Sequence, residues 1–313
     1  MQKPAVLILT PDAREYLLLL QDLLPAGTSL CVAETADDAR NVYAGESIIL
    51  GTPDLVAEVI GEMSQVRWVQ SSWAGVTPLL NAARTDYLLT GIKDTFGREM
   101  AEYVLGYMLA HELKLFERLG RQASRSWWAE HSGTLHGKTL GVMGTGSIGR
   151  SFARMAKPFG MRVIGFSRSG AAAEGFEQVF SSRERDDFLA QPDYLVCVLP
   201  DTTATAHLLD AEAFRVVRKH CYLINVGRGS VVDENALVRA LFDGELAGAV
   251  LDVFQQEPLP EDSPLWNAPG LIVTGHISGA SRPHDITRIF RDNYHRYREN
   301  KPLSYLIDFE RGY

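Results

Sequence analysis

Cysteine is scarce: three in 313 residues (Cys31, Cys197, Cys221), an odd number with no CxxC spacing. A disulfide scaffold or a cysteine zinc site is therefore not expected. No HxxxH or HxxEH pair occurs among the eight histidines, so a histidine zinc site is not expected either. No apolar run approaches the roughly 18 residues of a membrane span; Leu17 to Leu20 is typical of those present. The apolar stretch after Met1-Gln2-Lys3-Pro4 stops before Pro11-Asp12, too short for a secretory signal, and a cytoplasmic location is expected. Basic charge is not in excess: 31 Lys and Arg against 39 Asp and Glu leave 31 − 39 = −8. That balance argues against nucleic acid and anionic membranes as partners. Low-complexity segments and fixed-period repeats are absent as well.

What is present is an ordinary globular composition, 46% hydrophobic and 22% charged, long enough for two domains. Short apolar runs alternate with amphipathic stretches. Val6–Leu9, Ser29–Ala33, Ser47–Leu50 and Val66–Gln70 read as strands, with a helix over Asp12–Leu24. After residue 138, Leu140–Met143, Arg162–Phe166, Tyr194–Leu199, Tyr222–Val226, Ala249–Val253 and Leu271–Thr274 read as six more, and Pro283–Asn300 as a last helix. Alternation of this kind predicts parallel sheets covered on both faces. Gly97 to about Arg125 keeps a helical apolar period far longer than its neighbours, which predicts one long helix bridging two domains. Trp127-Trp128 fits either a contact with a neighbouring subunit or the core.

The clearest chemical signal is Gly144-Thr-Gly146-Ser147-Ile148-Gly149, which closes a predicted strand and opens a helix over Arg150–Phe159. Gly144 permits the tight turn, Gly146 lets backbone approach a pyrophosphate, and Gly149 packs helix on strand. The second strand of this unit ends in Ser167-Arg168-Ser169, 18 and 19 residues past Gly149 for Ser167 and Arg168. NAD sites usually place a carboxylate there for the ribose 2′-hydroxyl. A guanidinium instead offers a 2′-phosphate charge-assisted hydrogen bonds, which favours NADP(H) over NAD(H).

Three further segments begin where predicted strands end: Asn225-Val226-Gly-Arg228-Gly, Asp252-Val-Phe-Gln-Gln-Glu257-Pro, and Thr274-Gly275-His276-Ile277. One Arg, one Glu and one His at the carboxyl ends of parallel strands suit reduction of a 2-oxo acid. The carbonyl needs a proton donor, the donor an orienting anion, and the carboxylate a cationic clamp. The other seven histidines read as structural, and Asp233 as the cap of a helix from Asn235 to Phe242.

On these segments, with Ser72-Trp-Ala-Gly-Val76, Arg98-Glu-Met-Ala-Glu-Tyr103, Val198-Leu-Pro200 and Glu257–Trp266, the chain resembles the D-isomer-specific 2-hydroxyacid dehydrogenase family over nearly its whole length. Its Ser-Arg pair is similar to that of NADPH-dependent glyoxylate/hydroxypyruvate reductases within that family. The resemblance implies His276 as acid/base, Glu257 as its partner and Arg228 as the substrate-binding group. It implies that amides near Ala74, Gly75 and Val76 hold the substrate carboxylate, beside the bulky Trp73. Pro200, Val226 and Asp252 join the implied cofactor contacts, Asp252 reading equally as a turn residue. The implied architecture is two doubly wound α/β parallel-sheet domains with a cleft between them. A flavodoxin-like substrate domain takes residues 1–98 plus 285–313, and a Rossmann dinucleotide-binding domain takes 99–284. A homodimer is implied too. The competing reading on the same fold is a nucleotide-sensing corepressor. One departure stands out: most members carry Pro before the catalytic His, where this chain has Gly275, which adds backbone freedom.

Overall fold

The computed structural model describes residues 5–310; the two outer ends of the expected substrate domain, residues 1–4 and 311–313, lie outside the described residues. The chain forms two compact units, one from the segments up to Thr95 and from Ser281 onward, the other Phe96–Ala280.

In the first unit β1 (Val6–Leu9), α1 (Ala13–Leu23), β2 (Leu30–Ala33), α2 (Ala36–Val42), β3 (Ile48–Gly51), α3 (Pro53–Val59), β4 (Trp68–Ser71), α4 (Thr77–Leu80) and β5 (Leu88–Thr90) alternate in order. The five strands pair in parallel in the order β2-β1-β3-β4-β5, which is the flavodoxin-like order. Every residue of β1, β3 and β4 is buried, as expected of strands covered on both faces.

The second unit runs α5 (Gly97–Glu112), α6 (Leu115–Ala123), β6 (Thr139–Met143), α7 (Ser147–Ala156), β7 (Arg162–Phe166), β8 (Gln178–Phe180), α8 (Arg185–Leu189), β9 (Tyr194–Cys197), α9 (Ala211–Val216), β10 (Tyr222–Asn225), α10 (Glu234–Phe242), β11 (Gly248–Leu251) and β12 (Leu271–Val273). Its seven parallel strands lie in the order β12-β11-β10-β9-β6-β7-β8. The strand order reverses between β6 and β9, and that switch point is where an open α/β sheet binds its ligand. Asp233 caps α10 by accepting from the Ala236 N–H, as its sequence position predicts. The last helix, α11 (Pro283–Arg298), returns to the first unit, where Phe290 stacks on Trp68 at 5.2 Å and Asn293 donates to Gln70.

The expected long bridging helix is corrected. It breaks at Lys114, whose backbone is left-handed at φ 50°, and both halves belong to the second unit. The apolar period persists across the break because α6 keeps an apolar stripe without burying a single residue. Trp127 is not a core residue either, at 95% exposed, and the Trp128 ring lies beneath Lys114, Arg118 and Arg121. β5 and β8 escape the sequence reading because each is a three-residue edge strand. Among the described residues no helix is long and apolar enough to cross a membrane.

Candidate active site

The glycine turn follows β6 at the switch point, and each glycine there has its own reason. Gly144 sits at φ 112°, and a Cβ on it would meet the Val198 carbonyl at 2.9 Å. A Cβ on Gly149 would lie 1.9 Å from the Gly144 carbonyl, so only glycine lets α7 start this close to β6. A Cβ on Gly146 would meet nothing within 4 Å; that glycine leaves an open approach to the backbone. Gly146 also caps α7 without offering a side chain, and the first turn of α7, Ser147 and Ile148 included, carries no acidic residue. A helix N-terminus with no acidic residue in its first turn, beside an open glycine, is a fit for a pyrophosphate.

At the end of β7, Ser167 and Ser169 turn their hydroxyls onto the local backbone, accepting from the N–H groups of Gly170 and Ala171. Arg168 is exposed, and among the described residues its guanidinium makes no hydrogen bond or ion pair. Its carbonyl is held instead, by the Ser182 hydroxyl at 3.3 Å. Pro200 is exposed and accepts from Thr205. Val226 is buried, its N–H spent on the Cys197 carbonyl.

The Arg, Glu and His segments follow neighbouring strands β10, β11 and β12. His276 Nδ1 lies 2.8 Å from Glu257 Oε2, while Glu257 Oε1 accepts from the Phe254 N–H at 3.0 Å. The carboxylate thus has one oxygen anchored to backbone and the other orienting the imidazole. The ring Nδ1 carries the proton in that pairing, which turns Nε2 outward on a side chain 52% exposed. Arg228 is half-buried and donates through Nη1 to the Gly227 carbonyl. Burial pushes its guanidinium pKa down, against the opposing charges of Asp201 and Glu257. Asn225 braces that turn, donating to the Arg228 carbonyl and accepting from the Gly227 N–H.

Asp252 is fully buried and does more than a turn residue needs to. Its Oδ1 accepts from the Thr274 hydroxyl and the Ile277 N–H, and its Oδ2 from the Ser278 N–H. Its own carbonyl takes the His276 N–H. Burial raises the Asp252 pKa, but the hydrogen bonds from Ser278, Thr274 and Ile277 outweigh it, and the net direction is down. Thr274 in turn bonds Tyr103 of α5 at 2.6 Å. Neither Thr274 nor Tyr103 stands out in the sequence as a site residue. The available signal was a hydroxyl two positions before the histidine.

Ala74, Gly75 and Val76 belong to the first unit, in the loop between β4 and α4. Ser71 ties the start of that loop, its hydroxyl bonding both the N–H and the carbonyl of Trp73. The next three N–H groups, those of Ala74, Gly75 and Val76, have no hydrogen-bond partner among the described residues. Three adjacent unpartnered amides offer donors of the kind that suit a carboxylate. Three of the other seven histidines sit in different surroundings: His111 bonds Tyr194, His220 pairs with Asp193, and His284 with Asp285.

A sequence profile described as D-isomer specific 2-hydroxyacid dehydrogenase, NAD binding domain, matches residues 105–278. Glyoxylate/hydroxypyruvate reductase A of Serratia proteamaculans (strain 568) is 31% identical over 280 residues, 87% of each chain. The crystal structure of a D-isomer specific 2-hydroxyacid dehydrogenase family protein from Aeromonas salmonicida subsp. salmonicida A449 superposes with a TM-score of 0.95 at 40% identity, covering 98% of this chain and 100% of that one. An NADPH-dependent glyoxylate/hydroxypyruvate reductase from Sinorhizobium meliloti, solved with NADP and sulfate, gives 0.86 at 26% identity over the full length of both chains. The profile alone spans more than half of the sequence, and the chain belongs to the D-isomer specific 2-hydroxyacid dehydrogenase family of oxidoreductases.

Proposed function

We propose that this protein is an NADPH-dependent reductase of small 2-oxo acids such as glyoxylate, hydroxypyruvate or pyruvate. The observation that carries the reading is the 2.8 Å pairing of Glu257 with His276, on strand ends next to that of Arg228. The relatives named above, a glyoxylate/hydroxypyruvate reductase and an NADP-bound reductase, favour it over a corepressor.

Gly144, Gly146, Ser147, Ile148 and Gly149 hold the pyrophosphate, and the unpaired Arg168, flanked by Ser167 and Ser169, meets the 2′-phosphate. Pro200, Val226 and Asp252 line the same strand ends nearer the reacting carbons. NADPH, when bound, supplies the hydride. The free amides of Ala74, Gly75 and Val76, in the first unit, suit a carboxylate. In the second unit Arg228 offers two parallel N–H donors to the carboxylate and carbonyl oxygens of a 2-oxo acid, fixing the plane that hydride must approach. His276 donates its Nε2 proton to the carbonyl oxygen as that oxygen gains charge, and in the reverse direction withdraws it from the hydroxyl. Glu257 keeps Nδ1–H in place and steadies the charged imidazole. Turnover of glyoxylate with NADPH, set beside NADH, tests the assignment. Saturable turnover with a lower KM for NADPH supports it, and no turnover with either cofactor contradicts it.

A homodimer is part of the same proposal. Leu113 at the end of α5, Leu115, Phe116 and Leu119 of α6, and Trp127 after it are exposed, a stripe that a second copy of the chain would cover. Phe116→Glu, read by light scattering, should then shift dimer to monomer. A cytoplasmic location is supported by the three free thiols, with Cys197 and Cys221 buried.

A further inference from the structure

His276 has φ 57°, the left-handed region that a side chain bearing Cβ rarely adopts, and it follows a glycine that restrains nothing. Some other part of the molecule must hold this turn. Three successive N–H groups, those of His276, Ile277 and Ser278, all end on Asp252. Two of these amides close on its carboxylate and the third on its backbone carbonyl, so one buried residue holds the whole turn. The Thr274 hydroxyl gives its single proton to Asp252 Oδ1 at 2.6 Å, so the contact with Tyr103 is made by the phenol donating. Chains of this kind strengthen one another in a dry surrounding. Helix α5 is also pressed against the far side of the turn: a Cβ on Gly279 would meet Met100 at 3.1 Å and Phe96 at 3.3 Å.

We infer that the Tyr103–Thr274–Asp252 chain is a positioning device that fixes the His276 turn in its reactive conformation, with α5 as its anchor. The inference rests on the assignment of His276 as the proton donor. It gives Tyr103 and Thr274 a role in catalysis although neither touches the reacting atoms.

The device has a distinctive rescue. Gly275 donates no backbone hydrogen bond among the described residues, and a Cβ there would meet nothing within 4 Å. Proline at 275 would cost no backbone hydrogen bond and would remove by ring closure the freedom that the hydroxyl chain otherwise suppresses. Tyr103→Phe deletes only the donor. It should lower kcat for glyoxylate about tenfold, the equivalent of one hydrogen bond of roughly 1.4 kcal/mol, with the NADPH dissociation constant unchanged. Thr274→Val should do the same and Thr274→Ser should not. Gly275→Pro added to Tyr103→Phe should recover most of the lost kcat. An unchanged kcat in both Tyr103→Phe and Thr274→Val would overturn the inference. So would a loss matched by weakened NADPH binding and not recovered by proline, since that pattern belongs to a general packing role. His276→Gln, measured alongside, separates the two assignments: full turnover in that variant refutes the acid/base reading itself, and its collapse with Tyr103→Phe intact refutes only the positioning chain.

Discussion

The seven-stranded sheet carries a histidine and a carboxylate at each of its ends, and the two ends behave differently. At the carboxyl ends His276 and Glu257 pair at 2.8 Å with side chains 52% and 37% exposed. At the amino ends His111 Nδ1 bonds the Tyr194 hydroxyl, which donates to Glu112, which pairs with Lys138. The His111 ring is stacked on Tyr222 at 4.4 Å. In the second cluster the polar groups are spent on one another, and burial pushes the His111 pKa down, toward the neutral ring. In the first, one imidazole nitrogen is oriented by an anchored carboxylate and the other makes no hydrogen bond among the described residues. Residue types alone do not make a site; an oriented group with an unspent valence does. Helix α5 serves both ends, reaching Thr274 through Tyr103 and Tyr194 through His111, eight residues and about 12 Å along its axis.

The contrast can be broken or sharpened by substitution. Arg228→Lys keeps the charge but replaces a planar fork with a flexible point donor, so kcat/KM for glyoxylate should fall about 10²-fold or more. Fluorescence titration of the same variant should show NADPH binding unchanged, because the proposed cofactor contacts, the glycine turn and Arg168, are untouched. Near-normal turnover would move Arg228 out of the substrate site. Arg168→Ala should erase most of the preference for NADPH over NADH, roughly 10- to 150-fold for a charge-assisted contact of about 1.5–3 kcal/mol. Equal KM values for the two cofactors in the unaltered protein would refute the role of Arg168.

At the closed end the effects should appear in stability instead. Tyr194→Phe leaves Glu112 and His111 short of a partner and should destabilise by about 1–3 kcal/mol in urea unfolding, with kcat for glyoxylate intact. The smallest effect is one of pH. A histidine whose folded pKa is depressed binds more protons when unfolded. Its contribution to stability is therefore whole above the unfolded value of about 6.5 and is lost as pH falls through the folded value. Unfolding free energy should accordingly decline on acidification from about pH 6.5 toward the folded value, and His111→Gln should flatten the decline. An unchanged slope in the variant would assign the acid sensitivity elsewhere.

Much of this arrangement is legible in the sequence because its signals are local. Gly144 to Gly149 announces itself by spacing, and Arg228, Glu257 and His276 each follow a strand readable from an apolar run. The break at Lys114 is not legible, since Leu113, Leu115, Phe116 and Leu119 preserve a helical rhythm that the fold uses for an exposed stripe and not for the core. Nor is the hold on His276. Tyr103 and Thr274 are 171 residues apart, and nothing local marks a tyrosine on one helix as the donor to a threonine beyond the last strand. The left-handed backbone at His276 is equally silent, because the glycine that signals flexibility is its neighbour.

The most direct test of the open-end assignment compares the two histidines in one assay, the steady-state kcat for glyoxylate reduction by NADPH in His276→Gln and in His111→Gln. Loss of a general acid should lower kcat about 10²- to 10⁴-fold in the first, while the second keeps the turnover of the unaltered protein. Equal losses in both variants, or full turnover in His276→Gln, would contradict the account.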